Sequence, residues 1–112
     1  MRIEFTLDCN DLDRLTGFWR DAAGFVVAGR IADRYVSLSG HHVTLTLQRV
    51  DEPKAHKNRM HLDFEVDDLD ATTARIVELG GAWPGGEHTL EEYRWRTVQD
   101  PEGNEFDITT VG

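Results

Sequence analysis

The chain has 112 residues, of which 39% are hydrophobic and 29% are charged, as is typical of one globular domain. Its 21 acidic residues against 12 basic ones give a formal net charge of −9, which opposes contact with nucleic-acid phosphates or anionic lipid and favours a cationic guest. No run reaches the roughly 18 apolar residues of a membrane span, and the N-terminus lacks the apolar stretch of a signal peptide. We therefore expect a cytoplasmic protein with neither nucleic acid nor membrane as partner. The single cysteine, Cys9, excludes an internal disulfide and is expected in the core.

A short pattern occurs twice in the chain at a constant offset of 57 residues. A repeat of roughly 50 residues that covers the chain indicates two copies of one supersecondary unit, neither of which buries its apolar face alone. Function is then expected where the copies meet. The pattern comprises Asp11-Leu12-Asp13, Thr16 and Gly24 in the first copy and Asp68-Leu69-Asp70, Thr73 and Gly81 in the second.

The first copy, residues 1–50, is predicted to fold as βαβββ. Residues 2–8 alternate apolar and polar, as a half-buried strand does. A helix follows, which Asn10 or Asp11 caps and Gly24 ends. The predicted apolar stripe of this helix consists of Leu12, Leu15, Phe18, Trp19 and Ala22, and the predicted strands after it are 25–31, 34–39 and 42–50.

The second copy, residues 59–112, follows a polar segment, residues 51–58, that we interpret as a linker because it lacks periodicity. It repeats the order of the first copy. The segment Asp100-Pro101-Glu102-Gly103 has the sequence of a type I turn and leads into the last strand. The predicted elements are a strand at 59–66, a helix at 69–79 that packs through Leu69, Thr73, Ile76 and Val77, and strands at 82–88, 92–99 and 104–111.

Because strand side chains alternate between faces, one face of each predicted sheet is apolar and packs on a helix. The opposite face is polar and mostly acidic. A solvated antiparallel sheet explains such a face without any function, and a ligand site is the alternative. The side chains of this polar face are Glu4, Thr6, Asp8, His42, Thr44, Thr46, Gln48, His61, Asp63, Glu65, Glu105, Asp107 and Thr109.

Two equivalent pairs stand out on this polar face. The offset of the repeat makes Glu4 equivalent to His61, and alignment of the glycines before the last strands makes Thr44 equivalent to Asp107. One histidine nitrogen and two carboxylates form a suitable ligand set for Fe(II), Mn(II), Ni(II) or Zn(II). A structural hydrogen bond between a histidine and an acid is the alternative interpretation.

Several segments of the chain resemble one known family. They are the run from Asp11-Leu12 through Phe18-Trp19 to Gly24-Phe25, the segment 58–63 (Asn-Arg-Met-His-Leu-Asp), and the segment 100–106 (Asp-Pro-Glu-Gly-Asn-Glu-Phe). Together with the paired units they resemble the vicinal oxygen chelate superfamily, and within it the glyoxalase-like branch grouped with glyoxalase, bleomycin resistance protein and extradiol dioxygenase. The resemblance covers essentially the whole chain. It implies an α+β fold in which two tandem βαβββ units form curled mixed sheets around a concave cavity.

The resemblance also implies four metal positions, one on the first and one on the last strand of each unit. They correspond here to Glu4, Thr44, His61 and Asp107. His61 is the expected histidine, Asp107 stands where a glutamate is usual, and Glu4 replaces a histidine or glutamine. Thr44 replaces a glutamate and is a poor ligand. The predicted metal ligands are therefore Glu4, His61 and Asp107, and the residues predicted to line the cavity are Thr6, Thr44, Gln48 and Glu105.

Two functions follow from the resemblance. The first is a metal-dependent lyase, isomerase or dioxygenase, in which a divalent ion (Fe, Mn, Ni or Zn) chelates two neighbouring oxygens of a small-molecule substrate and Asp63 or Glu65 accepts a proton. The alternative is a metal-free binding protein that sequesters a cationic drug-like ligand, as bleomycin resistance proteins do. The net charge of −9 and the threonine at position 44 favour the alternative. A homodimer is expected from the resemblance alone.

Overall fold

The structure, a computed structural model, describes residues 2–56 and 59–111. These residues form two βαβββ series in succession, so the predicted α+β class with two tandem units is confirmed. Neither helix within the described ranges is long and apolar enough to cross a membrane. The elements are β1 (Arg2–Cys9), α1 (Leu12–Ala23), β2 (Val26–Ile31), β3 (Tyr35–Gly40), β4 (Val43–Arg49), β5 (Met60–Glu65), α2 (Leu69–Glu78), β6 (His88–Leu90), β7 (Tyr93–Gln99) and β8 (Glu105–Val111).

The chain divides into two compact units, of which the first spans residues 4–60 and the second combines residues 61–112 with 1–3. In the first unit, β1 pairs with β4 in parallel, and β2, β3 and β4 pair antiparallel. In the second unit, β5 pairs with β8 in parallel, and β6, β7 and β8 pair antiparallel. Each unit therefore contains mixed pairing, in the order β2-β3-β4-β1 in the first and β5-β8-β7-β6 in the second.

An aspartate caps the N-terminus of each helix, as the repeat predicts. The carboxylate of Asp11 accepts a hydrogen bond from the Arg14 amide at 3.0 Å, and Asp68 accepts one from the Ala71 amide at 3.0 Å. The two C-termini differ. The residue directly after α1 is Gly24, which is left-handed with a φ of 75°. After α2, which ends at Glu78, the left-handed residue is one position later, at Gly80, with a φ of 98°.

Much of the apolar faces predicted from strand alternation lies in the cores of the two units, and Cys9 is buried as expected, but Ile3 and Leu62 on those faces are 50% and 39% exposed. The buried stripes of the helices are narrower than predicted. Phe18 is 56% exposed, and Ala22 and Val77 are also exposed. The reason is geometric, because successive helix positions are rotated by about 100° and the sheet covers one side of each helix. The buried core residues are Cys9, Leu12, Phe25, Val36, Leu38, Leu45 and Leu47 in the first unit and Val66, Leu69, Val98 and Ile108 in the second.

A buried arginine lies on the helix-facing side of β7. The Arg96 side chain is 8% exposed, and its guanidinium contacts Asp70 at 2.6 Å and Glu87 at 3.1 Å. It also donates to the Thr73 hydroxyl at 2.9 Å and lies over the Trp83 ring at 4.3 Å. These contacts raise the pKa of Arg96, first through the hydrogen bond to Asp70, so the group stays charged. Arg96 therefore connects α2 to β7 and to the segment before β6.

The predicted strand at 82–88 is wrong, because β6 comprises only His88–Leu90. The segment Pro84-Gly85-Gly86 occupies the position of the predicted strand, and its two glycines have φ values of 100° and 95°. Such backbone cannot continue a ladder of extended residues. What remains of the prediction is a single bridge between Ala82 and Gln99.

A close backbone approach explains the glycine at position 81. A Cβ added to Gly81 would lie 2.5 Å from the Gln99 carbonyl oxygen and 2.7 Å from Cγ2 of Ile76. We expect Gly81→Ala to lower the free energy of unfolding by about 2 kcal/mol, because backbone must move to relieve the overlap. Urea denaturation measures the loss, with Gly29→Ala as the control since nothing lies within 4 Å of a Cβ there. Equal stability of the two variants would contradict the close approach.

Candidate functional site

The candidate site lies on the polar face of the second unit's sheet, where three adjacent strands bring polar side chains together. The parallel register of β5 and β8 places Asp63 opposite Asp107, and the antiparallel register of β7 and β8 places Thr97 opposite Asp107. His61 lies two residues before Asp63 and therefore on the same face of β5. Strand pairing alone thus gathers four polar side chains at one place.

Three of these side chains form a close group, which we call the His61 group (His61, Asp63 and Asp107). Nε2 of His61 lies 3.4 Å from Oδ1 of Asp63 and 3.2 Å from Oδ2 of Asp107. The side chains are 26%, 13% and 15% exposed, respectively. One potential ligand atom from each residue lies within 4.8 Å of the other two. Among residues 2–56 and 59–111, this is the one set of three metal-ligating side chains at such distances.

The charges within the His61 group depend on one another. Burial disfavours the charged imidazolium of His61, but hydrogen bonds to Asp107 and Asp63 outweigh this effect and raise its pKa to about 10. Burial raises the pKa of the Asp107 carboxyl, but hydrogen bonds from His61 and Thr97 outweigh burial and lower this pKa below its ordinary value. At neutral pH an imidazolium therefore balances the carboxylate of Asp107.

Thr97 orients one of the two carboxylates. Its hydroxyl donates to Oδ1 of Asp107 at 2.7 Å, while Oδ2 of the same carboxylate faces His61. No pattern in the sequence predicts Thr97 as part of the site. Strand alternation places Thr97 and Trp95 on one face of β7, but only the register with β8 sets Thr97 beside Asp107.

Two further predicted residues lie on the same face of the second unit, outside the His61 group. The Glu65 side chain, two residues beyond Asp63 on β5, is 43% exposed and lies 3.5 Å from the guanidinium of Arg2. Glu105, at the start of β8, is exposed and lies opposite Gln99. Asp63, which the sequence predicts as a candidate proton acceptor together with Glu65, lies beside His61 and Asp107.

The remaining predicted residues belong to the first unit. Thr6 is buried on β1, and Thr44 is half-buried on β4. Gln48, also on β4, donates to the Tyr35 hydroxyl at 3.1 Å. Glu4 lies on β1 and is not one of the three residues that form the metal-ligating set in the described part of the chain.

The donor set of the His61 group fits a divalent metal ion. One imidazole nitrogen and two carboxylate oxygens suit Mn(II), Fe(II), Ni(II) or Zn(II), and Thr97 already orients one of the carboxylates. Binding would require that His61 lose its proton, because a proton and a metal ion compete for the same imidazole nitrogen. The group can therefore exist in a protonated or a metal-bound form.

Solved structures share this fold. A glyoxalase/bleomycin resistance protein/dioxygenase superfamily member from Vibrio splendidus 12B01 is 21% identical, covers 97% of each chain and has a TM-score of 0.69. Methylmalonyl-CoA epimerase from Mycobacterium tuberculosis is 18% identical over 99% of this chain and 88% of its own, with a TM-score of 0.76. A variant of the Streptomyces coelicolor methylmalonyl-CoA epimerase, in complex with 2-nitronate-propionyl-CoA, is 22% identical over 100% and 98%, with a TM-score of 0.69.

At these identities the structures show a shared fold, and a shared fold does not establish a shared activity. No curated protein matches the chain. A family model described as a glyoxalase-like domain matches residues 4–109, which is nearly the whole chain and includes all three residues of the His61 group. The resemblance drawn from the sequence is confirmed, and the chain belongs to the glyoxalase-like domain family.

Proposed function

We propose that the protein is an enzyme that binds a divalent metal ion through His61, Asp63 and Asp107 and moves a proton on a small substrate with two neighbouring oxygen atoms. The observation that carries the proposal is the His61 group, whose three potential ligand atoms lie within 4.8 Å of one another. When bound, the ion supplies a Lewis acid that withdraws electron density from a substrate carbonyl. The side chains of the chain itself supply positioning and proton transfer.

Glu65 is the proton acceptor in this proposal. Its carboxylate is on the same face of β5 as the His61 group but outside it, and at 43% exposure it is open to a substrate. The guanidinium of Arg2 lies 3.5 Å from this carboxylate. Glu65 would take the proton from the carbon next to the carbonyl and return it, as an isomerase does. The epimerases among the structural relatives support this choice over lyase or dioxygenase chemistry.

One observation favours a second candidate, a metal-free protein that binds a cationic aromatic compound. The rings of His88 and Trp95 stack at 5.4 Å on strands β6 and β7. Trp95 lies opposite Thr109, which in turn lies opposite Glu65, so an aromatic surface and a carboxylate share one face. A cation with an aromatic body suits such a surface.

A hydrogen-exchange experiment tests the proposed enzyme. The full-length, metal-loaded protein is incubated in D₂O with methylmalonyl-CoA and with a panel of 2-oxo and 2-hydroxy acids, and NMR follows deuterium at the carbon next to the carbonyl. We expect exchange with the native chain and a loss of about 100-fold or more in Glu65→Gln that still binds metal. Glu105→Gln, on the same face, is the control and should exchange at the native rate.

Absence of exchange in the metal-loaded chain, or native exchange in Glu65→Gln, would contradict the assignment. A thermal shift of the metal-free chain with a cationic aromatic compound, together with no exchange, would support the second candidate.

Thr97 provides a prediction about affinity alone. We expect Thr97→Val to weaken metal binding by about 10-fold to 100-fold, because the Asp107 carboxylate loses the hydroxyl that orients it at 2.7 Å. Isothermal titration of the metal-depleted protein measures the change. Thr109→Val is the matched control, since Thr109 lies two residues further along β8 on the same face. Equal weakening in both variants would show that general loss of polarity, and not orientation of Asp107, is responsible.

A further inference from the structure

The first unit contains a cavity of about 520 Å³ that the His61 group does not use. It lies between the C-terminal end of β1, the first two turns of α1 and the segment that follows β4. Its volume is within the range of small-molecule pockets, roughly 300 to 1,000 Å³. Three apolar and three cationic side chains line it, namely Leu7, Leu15, Phe18, Arg14, Lys54 and Arg59.

The charge of this cavity is opposite to that of the chain. Its three cations exceed the two acids in the lining, Asp8 and Asp11, although the chain as a whole carries a net charge of −9. The side chain of Asp11 is already engaged as the cap of α1, where it accepts the Arg14 amide at 3.0 Å. The three cations and two acids of the lining sum to +1, against −9 for the whole chain, so the local charge favours an anion.

Two of the three cations are held in place by the chain. Nη1 of Arg59 donates to the Glu52 carbonyl at 3.2 Å, and the Arg59 carbonyl accepts the Asp8 amide at 2.9 Å. Nζ of Lys54 donates to the His56 carbonyl at 2.8 Å. The guanidinium of Arg14 differs, because it has no hydrogen-bond or ion-pair partner among the residues that the structure describes. Arg14 thus lines the cavity with a guanidinium that none of the described residues binds.

The apolar side of the cavity includes an exposed aromatic ring of helix α1. Phe18 belongs to the apolar stripe predicted from the sequence, yet it is 56% exposed. It lines the cavity together with Leu15, one turn earlier on the helix. An apolar surface beside a guanidinium suits a molecule with an apolar body and a charged head.

We propose that this cavity is a second binding site, for a small organic anion that has an apolar body and one carboxylate or phosphate group. The anionic group is bound by Arg14, with Arg59 and Lys54 beside it, and the apolar body lies on Leu15 and Phe18. All of these residues belong to the first unit, so the site does not depend on the His61 group.

Isothermal titration of the full-length protein tests the site with four probes. Octanoate, octyl phosphate and octyltrimethylammonium are used below their micelle concentrations, and octanol below its solubility limit. We expect one octanoate or octyl phosphate per chain, and the tighter of the two identifies the head group. Octanol and octyltrimethylammonium should bind at least about tenfold more weakly, because neither pairs with a guanidinium.

Two variants distinguish binding at this site from non-specific binding. Arg14→Gln should weaken binding of the anion by at least about tenfold. Arg20→Gln is the matched control on the same helix, because Arg20 pairs with Asp21 at 2.9 Å outside the cavity lining, and it should bind as the native chain does. His61→Ala should also keep the anion. Native affinity in Arg14→Gln, equal binding of the cationic probe, or no saturable binding of either anion would overturn the proposal.

Discussion

His61→Ala is expected to bind its divalent metal at least about 100-fold more weakly than the native chain, the largest effect that we predict on ligand binding. The substitution removes the only nitrogen donor of the His61 group. It also leaves the carboxylates of Asp63 and Asp107 without the imidazole that lies 3.4 Å and 3.2 Å from them. Competition with a chromophoric chelator measures the dissociation constants of both proteins.

His88→Ala is the control for this experiment. His88 is also on a strand of the second unit, but it stacks on Trp95 and is not part of the His61 group. Its removal should leave metal affinity within about twofold of native, since no donor is lost. If His61→Ala bound metal as tightly as the native chain, the metal would be held elsewhere and the assignment of the three ligands would be wrong.

The metal-free protein is expected to lose stability as the pH rises from 7 to 10. The pKa of His61 is about 10 in the folded chain against 6.5 as its ordinary value. A raised pKa contributes stability that is fully present below the unfolded value and is lost as pH passes through the folded value. We expect this group to contribute roughly 3 kcal/mol that disappears across the interval, allowing for its partial exposure to solvent.

Urea denaturation of native protein and His61→Gln at several pH values measures this loss. Titrating groups outside the His61 group act equally on both proteins, so between pH 7 and pH 10 the difference between the two profiles reports on the His61 group. The difference should shrink from pH 7 to pH 10. Parallel profiles would show that folding does not raise the pKa of His61. On the acid side, Asp107 has a lowered pKa, so its contribution is present above its unfolded value and is lost as pH falls through the folded one.

The repeat and the alternation of polar and apolar residues were sufficient to predict the order of elements in both units. Local signals of this kind act within a few residues, and they include the caps at Asp11 and Asp68. The turn at residues 100–103 is another example. The Gly103 amide donates to the Asp100 carbonyl at 3.0 Å, as an aspartate and a glycine at these positions predict.

The composition of the candidate site depended on information that no local pattern contains. Alternation places His61 and Asp63 on one face, but the register of β5 against β8 decides that Asp63 lies beside Asp107. Thr97 depends in the same way on the register of β7. The burial of Arg96 depends even more on contacts distant in sequence. Its charge on a helix-facing position is stabilised by Asp70 of α2 and by Glu87 in the segment before β6.

Anomalous X-ray diffraction is the measurement that tests the metal site most directly. Crystals of the full-length chain would be grown with Mn(II), Fe(II), Ni(II) or Zn(II) and measured at the absorption edge of each metal. We predict one anomalous peak per chain at about 2.0 to 2.2 Å from Nε2 of His61, within coordinating distance of the carboxylates of Asp63 and Asp107. A peak at other residues, or no peak with any of the four metals, would contradict it.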